Sequence, residues 1–176
     1  QKLNLSYNQL SGNLTFRIGR LGSSLTELNL SSNQFNSFIP DSIGNLVLLT
    51  DLYLDNNLFS GTIPNAIGNL LNLKTLNLAN NNLRGIIPIE IFSLTKLEKL
   101  ILSSNQFLSQ DLPDEIGNLV NLQNLDIRSC NFKGEIPEKP FAHYSYSYAT
   151  QCVILSDNGQ IAKVIAAHDS GKVINK

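Results

Sequence analysis

Charge is scarce in this 176-residue chain: charged residues make up only 15%, and 13 Lys and Arg against 14 Asp and Glu leave a formal net charge of -1. With no basic excess and no Lys/Arg block, neither nucleic acid nor an anionic membrane surface is an expected partner. Long apolar runs are missing too. None approaches the roughly 18 residues of a membrane span, so no direct membrane insertion is expected. The opening "QKLNLSYNQL" lacks the charged start and apolar stretch of a secretory leader. It also lacks an initiating Met and begins inside a repeat, so any leader, anchor or companion domain is expected outside this segment. Cysteine occurs twice, as Cys130 and Cys152, too few for a disulfide framework and without metal-site spacing. That leaves the redox compartment open, and an interior place for Cys130, argued below, weighs against a 130–152 bridge. The two histidines, His143 and His168, are isolated and read as surface or cap packing rather than metal ligands. No phosphate loop, HExxH, GxSxG or metal cluster occurs. The reading is therefore not an enzyme, with no catalytic residue, no metal and no cofactor assigned.

What the chain does have is hydrophobic content, at 42%, and repetition. Aligning asparagines puts Asn8, Asn33, Asn57, Asn81 and Asn105 in one column at intervals of 25, 24, 24 and 24, with Cys130 next. Before each stands one frame, as in "LTELNLSSN", "LTDLYLDNN", "LKTLNLANN", "LEKLILSSN" and "LQNLDIRSC". An apolar residue follows two places on: Leu10, Phe35, Phe59, Leu83, Phe107, Phe132. Further along come Pro40, Pro64, Pro88, Pro113 and Pro137. A period of this length predicts a solenoid, in which a lone unit has nothing to bury its apolar face against.

Within a unit, "LxxLxL" alternates, so Leu28 and Leu30, or Leu76 and Leu78, point inward while Asn29 and Asn77 point out. Strands are expected near 3–5, 27–30, 51–54, 75–78, 99–102 and 124–127, in one parallel sheet whose crossovers are the "IP…IGNL" halves. The asparagine column has a structural reading. Where the chain leaves the strand, backbone groups face inward without a sheet partner, each costing about 1–3 kcal/mol if unpaired, and an Asn amide both donates and accepts. Cys130 replaces one rung because a thiol is small, tolerates burial and donates weakly.

These units resemble leucine-rich repeats, L-x-x-L-x-L-x-x-N/C-x-L. More narrowly, "FSGTIPNAIGNLLNL" and "LRGIIPIEIFSLTKL" resemble the plant-type subclass, in which "LxGxIP" follows the asparagine. The resemblance implies a right-handed, β-rich α/β solenoid with a concave parallel sheet, a second short strand after the Asn, and 3₁₀ turns on the convex side. Gly12, Gly61, Gly85 and Gly134 fit tight packing at that second strand. Extra residues, one between Gly22 and Ser24 and one in "FLSQDLP", should bulge locally. The paired-cysteine caps usual in plant members are not evident. The class includes receptor-like kinase ectodomains and secreted wall-enzyme inhibitors, which implies an extracellular or cell-surface place; a kinase would sit outside these residues.

Residues 1–138 are expected to form about six units, the first truncated, and 139–176 a degenerate repeat or capping hairpin. "TQCVILSDNGQI" sets Val153, Leu155 and Asn158 in the spacing of Leu76, Leu78 and Asn81, while Asp-Asn-Gly between β-branched runs favours a hairpin turn. In either case Val153 and Leu155 should pack on the sixth repeat. Function then falls to the outward strand positions. Reading across units gives Asn29, Tyr53, Asn77, Ile101, Asp126 in one column and Ser31, Asp55, Ala79, Ser103, Arg128 in the next. Tyr53, Asp55, Ile101 and Arg128 break the small-polar pattern and are the candidate contacts for a protein, peptide or glycan. Lys74 and Glu98, one column in adjacent units, read as a cross-strand pair. Asn4, Asn13 and Asn29 lie in N-L-S or N-L-T glycosylation sequons, two of them arising from the repeat itself. The competing readings are a structural surface binder such as an ice-binding solenoid, which needs one near-identical polar column that is not found here, and an intracellular scaffold.

Overall fold

The computed structural model describes residues 1–22 and 24–133, with the backbone alone of 152–155 and 162–165. Its strands, in chain order, are β1 (Lys2–Asn4), β2 (Ser11–Gly12), β3 (Glu27–Asn29), β4 (Gln34–Phe35), β5 (Asp51–Tyr53), β6 (Ser60–Gly61) and β7 (Thr75–Asn77). They continue with β8 (Asn82–Leu83), β9 (Lys99–Ile101), β10 (Gln110–Asp111), β11 (Asn124–Asp126), β12 (Phe132–Lys133), β13 (Cys152–Leu155) and β14 (Ala162–Ile165). One sheet runs β1-β3-β5-β7-β9-β11-β13-β14, so each coil adds one strand beside the last. Pairing is parallel from β1 to β13. Each coil repeats the same register, matching Leu28, Leu52, Leu76, Leu100 and Leu125 across the sheet. These leucines are buried in one continuous core, at about 1.5–3 kcal/mol of burial for each side chain.

Proline sets where each coil turns back. Pro40, Pro64, Pro88 and Pro113 immediately precede the 3₁₀ turns Asp41–Asn45, Asn65–Asn69, Ile89–Ser93 and Asp114–Asn118. A proline has no N–H to lose there and its φ is already restricted. Its carbonyl accepts the first turn's bond, as in Ile43 N–H to Pro40 O at 2.9 Å. In the first coil Thr15 takes that place before Phe16–Leu21, with φ -75°.

The ladder satisfies the turn out of each strand. Asn81 Nδ2 donates to Leu78 O, Ala79 O and, one coil back, Leu54 O, at 3.1, 3.2 and 3.0 Å. Its Oδ1 accepts the N–H of Phe59, also one coil back, at 2.9 Å. Asn33, Asn57 and Asn105 make equivalent inter-coil bonds and are buried. Cys130 is a buried thiol whose Sγ donates to Leu102 O at 3.0 Å, the donating half of the rung. Asn8 differs. It lies on the end coil of this chain, is exposed, and its amide donates only within its own coil, to Leu5 O and Ser6 O.

The residue before each rung has a left-handed backbone: Tyr7, Ser32, Asn56, Asn80, Ser104 and Ser129, with φ from 52° to 58°. Asn tolerates this conformation best among them. At the second strand Gly61 has φ +75°, and an added Cβ would lie 2.4 Å from the Phe38 ring; Gly85 likewise faces Thr62. Gly12 needs its positive φ but has open space around it, and Gly134 lies outside the described residues. The second strands pair as β2-β4, β6-β8 and β10-β12. The series breaks between β4 and β6, where a single Phe38–Ser60 bridge stands, and between β8 and β10 at the extra residue in "FLSQDLP", where the Gln110 side chain accepts the Ile87 N–H at 3.1 Å.

At the far end β13 pairs parallel with β11 and β14 pairs antiparallel with β13, so both strands extend the sheet. The register corrects the sequence frame by one residue: Ile154, not Val153, stands opposite Leu125. The ladder step from Cys130 to Asn158 is 28 residues, longer than the others, so the repeat gives no exact count for that register, and a one-residue slip exchanges every side chain's face. The packing of Val153 and Leu155, the placement of Asn158 and the side chain of Cys152 lie outside the described residues.

Candidate functional site

The concave sheet presents its outward residues in columns because the register never shifts from coil to coil. At the strand ends the column runs Asn4, Asn29, Tyr53, Asn77, Ile101, Asp126. Four of these have a local task. The side-chain oxygens of Asn4, Asn29, Asn77 and Asp126 each accept the backbone N–H two residues on, at 3.0, 3.0, 3.2 and 3.2 Å. This is the turn-forming use of Asn and Asp. Tyr53 and Ile101 have no such group, and both are half-buried on the open face. They stand two strands apart, roughly 10 Å. Burial, then the nearby Asp51 charge, pushes the Tyr53 phenol above its ordinary value, against a hydrogen bond with Thr75.

The next column holds Ser31, Asp55, Ala79, Ser103 and Arg128, in which the serines and Ala79 are buried. Asp55 is half-buried and its Oδ2 accepts from Asn56 Nδ2 at 2.6 Å. Asn56 Oδ1 in turn accepts from Asn80 Nδ2 at 3.0 Å. Burial pushes the Asp55 carboxyl up, and the Asn56 bond only partly opposes that.

Arg128 is exposed and engaged. Its Nε and Nη2 hold the two oxygens of Asp126 at 2.9 and 2.7 Å. Asp126 itself is buried. Burial pushes its carboxyl up, but hydrogen bonds from the Arg128 side chain and N–H and from Ser103, with the guanidinium charge, hold it below its ordinary value. The sequence reading treated Arg128 alone and missed this partner; the signal was D-x-R, which period-two alternation puts on one face of a strand. Two further ion pairs cross strands: Lys74 with Glu98 at 3.0 Å and Lys2 with Glu27 at 2.6 Å.

The structure thus groups Tyr53 with Asp55 in one coil, the latter just past the end of β5, and sets Ile101 and Arg128 on the coils beyond. Of the sequon residues, Asn4 and Asn29 lie on the concave sheet, and their oxygens also accept the Ser6 and Ser31 hydroxyls at 2.7 Å. Asn13 is exposed beside the second strand. Among the described residues no group of His, Cys, Asp and Glu is placed to hold a metal, and no helix is long and apolar enough to cross a membrane.

A family model described as "Leucine-rich repeat region" matches residues 24–136. No curated protein matches the chain. Among solved structures, the plant peptide hormone receptor RGFR1 in complex with RGF2 is similar at 32% identity and TM-score 0.81, over 89% of this chain and 24% of that one. The Arabidopsis receptor kinase HAESA, in complex with the peptide hormone IDA and the co-receptor SERK1, is similar at 36% identity and TM-score 0.77, over 80% and 24% of the two chains. PEPR1, solved with AtPEP1, matches at 30% identity and TM-score 0.79, over 89% of this chain and 21% of that one. The chain therefore spans about a quarter of these receptors' length. With the repeat frame, the asparagine ladder and these likenesses together, the chain belongs to the leucine-rich repeat family, in its plant type.

Proposed function

We propose that this chain is a recognition segment of an extracellular or cell-surface, receptor-like leucine-rich repeat protein, and that it binds a protein, peptide or glycan on its concave face. The observation that carries the reading is the contrast between columns. Core and turn positions repeat from coil to coil, whereas Tyr53 and Ile101 interrupt a column whose other members serve the backbone. A fold that tolerates change at such positions can alter what it recognises without altering itself. The solved receptors it resembles include HAESA in complex with the peptide hormone IDA and the peptide hormone receptor RGFR1 in complex with RGF2, which supports a peptide as the ligand class.

Tyr53, Asp55, Ile101 and Arg128 are the proposed contacts, with Arg128 presented by Asp126. Candidate peptides are tested by calorimetric titration against single substitutions at the four positions, with melting measured in parallel. A true hot spot weakens binding by about 2 kcal/mol or more, while melting stays close to the parent's. Unchanged binding in all four variants transfers the site to the lateral face around Arg84, Gln110 and Lys133. Asn13 is proposed as the sequon best placed to carry a glycan without covering the concave face; peptide mapping of chain secreted from a eukaryotic host tests it.

A further inference from the structure

Three ion pairs join charges of the concave side, and the one acid of the contact column next to Tyr53 is in none of them. Lys2 meets Glu27, Lys74 meets Glu98 and Arg128 meets Asp126. Asp55 is in none of the ion pairs among the described residues. Its column neighbours on the adjacent coils, Ser31 and Ala79, are small, neutral and buried. On β5, just before it in its own coil, stand Asp51, whose Oδ2 accepts from Thr50 Oγ1 at 2.7 Å, and Tyr53. On the β3 side stands Glu27, already paired; β7 presents Thr75 and Asn77, with Ala79 following it, none charged; Lys99 lies beyond it on β9.

The carboxylate is nevertheless held in place. Asn80 donates to Asn56 and Asn56 to Asp55, a relay across two coils that ends on Oδ2. Both asparagines also occupy the left-handed turn, with φ 52° and 54°, so the backbone that closes the coil aims the relay. A half-buried carboxylate with hydrogen bonds and no cation is a cost that the folded chain carries, and ion pairing is the usual way to offset it. Burial raising the carboxyl, with no positive group acting on it, agrees with that.

Resting on the concave-face reading above, we propose that Asp55, positioned by Asn56 and Asn80, receives a guanidinium or ammonium group of a basic peptide, with the Tyr53 ring two residues before it as its second contact. An Arg fork suits the two carboxylate oxygens, and the adjacent phenol ring offers the face that a cation prefers. Asn56 and Asn80 are positioning residues that act through Asp55.

The experiment uses the full chain, ¹⁵N-labelled, titrated with capped hexa-arginine and, separately, with capped hexa-glutamate. Resonances of Asn56, Asn80 and Tyr53 report the place of binding. The Asp55→Asn chain is expected to bind hexa-arginine about tenfold more weakly, in line with the loss of one charged hydrogen-bonded contact. Asn80→Gly keeps the turn, because glycine accepts positive φ, and should weaken binding by roughly threefold with melting unchanged, as expected for one neutral bond of the relay. Asp111→Asn, an equal charge change at an exposed site on β10, should leave affinity within about twofold, as expected of a surface change. Equal losses from Asp55→Asn and Asp111→Asn, or no binding of hexa-arginine at millimolar concentration, overturn the proposal. If hexa-glutamate instead shifts concave resonances, the proposal falls while the concave reading stands. Shifts confined to Arg84, Gln110 and Lys133 remove both.

Discussion

Replacing Asn81 by Leu isolates what one rung of the ladder contributes. The side chain makes four hydrogen bonds, and their partners fare differently when it is lost. Leu54 O keeps the Asn57 amide, Leu78 O keeps the Asn105 amide, and Ala79 O keeps the Asn56 N–H. Each of these carbonyls still has a donor. The Phe59 N–H, bonded only to Asn81 Oδ1, has no such reserve. Leucine fills the space and keeps water out, so that N–H is left buried and unpaired at about 1–3 kcal/mol, and the three weakened carbonyls bring the total to about 3 kcal/mol. For a chain of this size that lowers the melting temperature by roughly 6–12 °C. Urea denaturation and calorimetry give the magnitude, and amide exchange gives the place, with protection lost first at Phe59. Asn8→Leu is the matched control: its amide bonds only within the exposed end coil, so the change should stay within about 0.5 kcal/mol. An Asn81→Leu chain as stable as the parent, or one no less stable than Asn8→Leu, would refute the accounting of orphaned groups.

Protonation acts in opposite directions at two concave carboxylates. Asp126 is held below its ordinary value, so it stabilises the fold above the unfolded Asp value of about 3.9, and that contribution is lost as pH falls through the lower folded value. Asp126→Asn should therefore flatten the acid limb of stability, by about 1 kcal/mol given the half-exposed Arg128 partner; an unchanged pH profile in denaturant titrations counts against the pair. Asp55 is raised, so its ionised form destabilises the fold once pH rises past the ordinary value. Asp55→Asn should melt higher than the parent at neutral pH and equally at low pH, and calorimetry showing the reverse order would remove the argument. Ser104, in the left-handed turn at φ 58°, should gain roughly 0.5–1 kcal/mol on replacement by Gly or Asn, read as a higher urea midpoint. Removing residues 139–176 strips β13 from the edge of β11 and should lower stability and solubility together; a truncated chain that melts like the parent would argue against a capping role.

Much of this protein is legible in one 24-residue period. The leucine frame places Leu28, Leu52, Leu76 and Leu100 inward because alternation is a property of the strand itself. The recurring asparagine marks a turn whose carbonyls need a donor. Parallel pairing follows because identical units stack in order, and proline announces each convex turn by its restricted φ. Even the Asp126–Arg128 fork lay in the D-x-R spacing, though it takes the geometry to show that both side chains meet.

Other features depend on what lies beside a residue across the stack, which no period encodes. Asn8 and Asn81 share a motif, yet only the coil on its other side makes Asn81 a buried rung. The register of β13 opposite β11 was set by the sheet, one residue away from the frame that Val153, Leu155 and Asn158 offer. Asp55 reads as one more outward acid in the sequence. Its lack of an ion pair among the described residues, and the relay from Asn80 through Asn56 that holds it, come from two consecutive coils bringing their turns together in space.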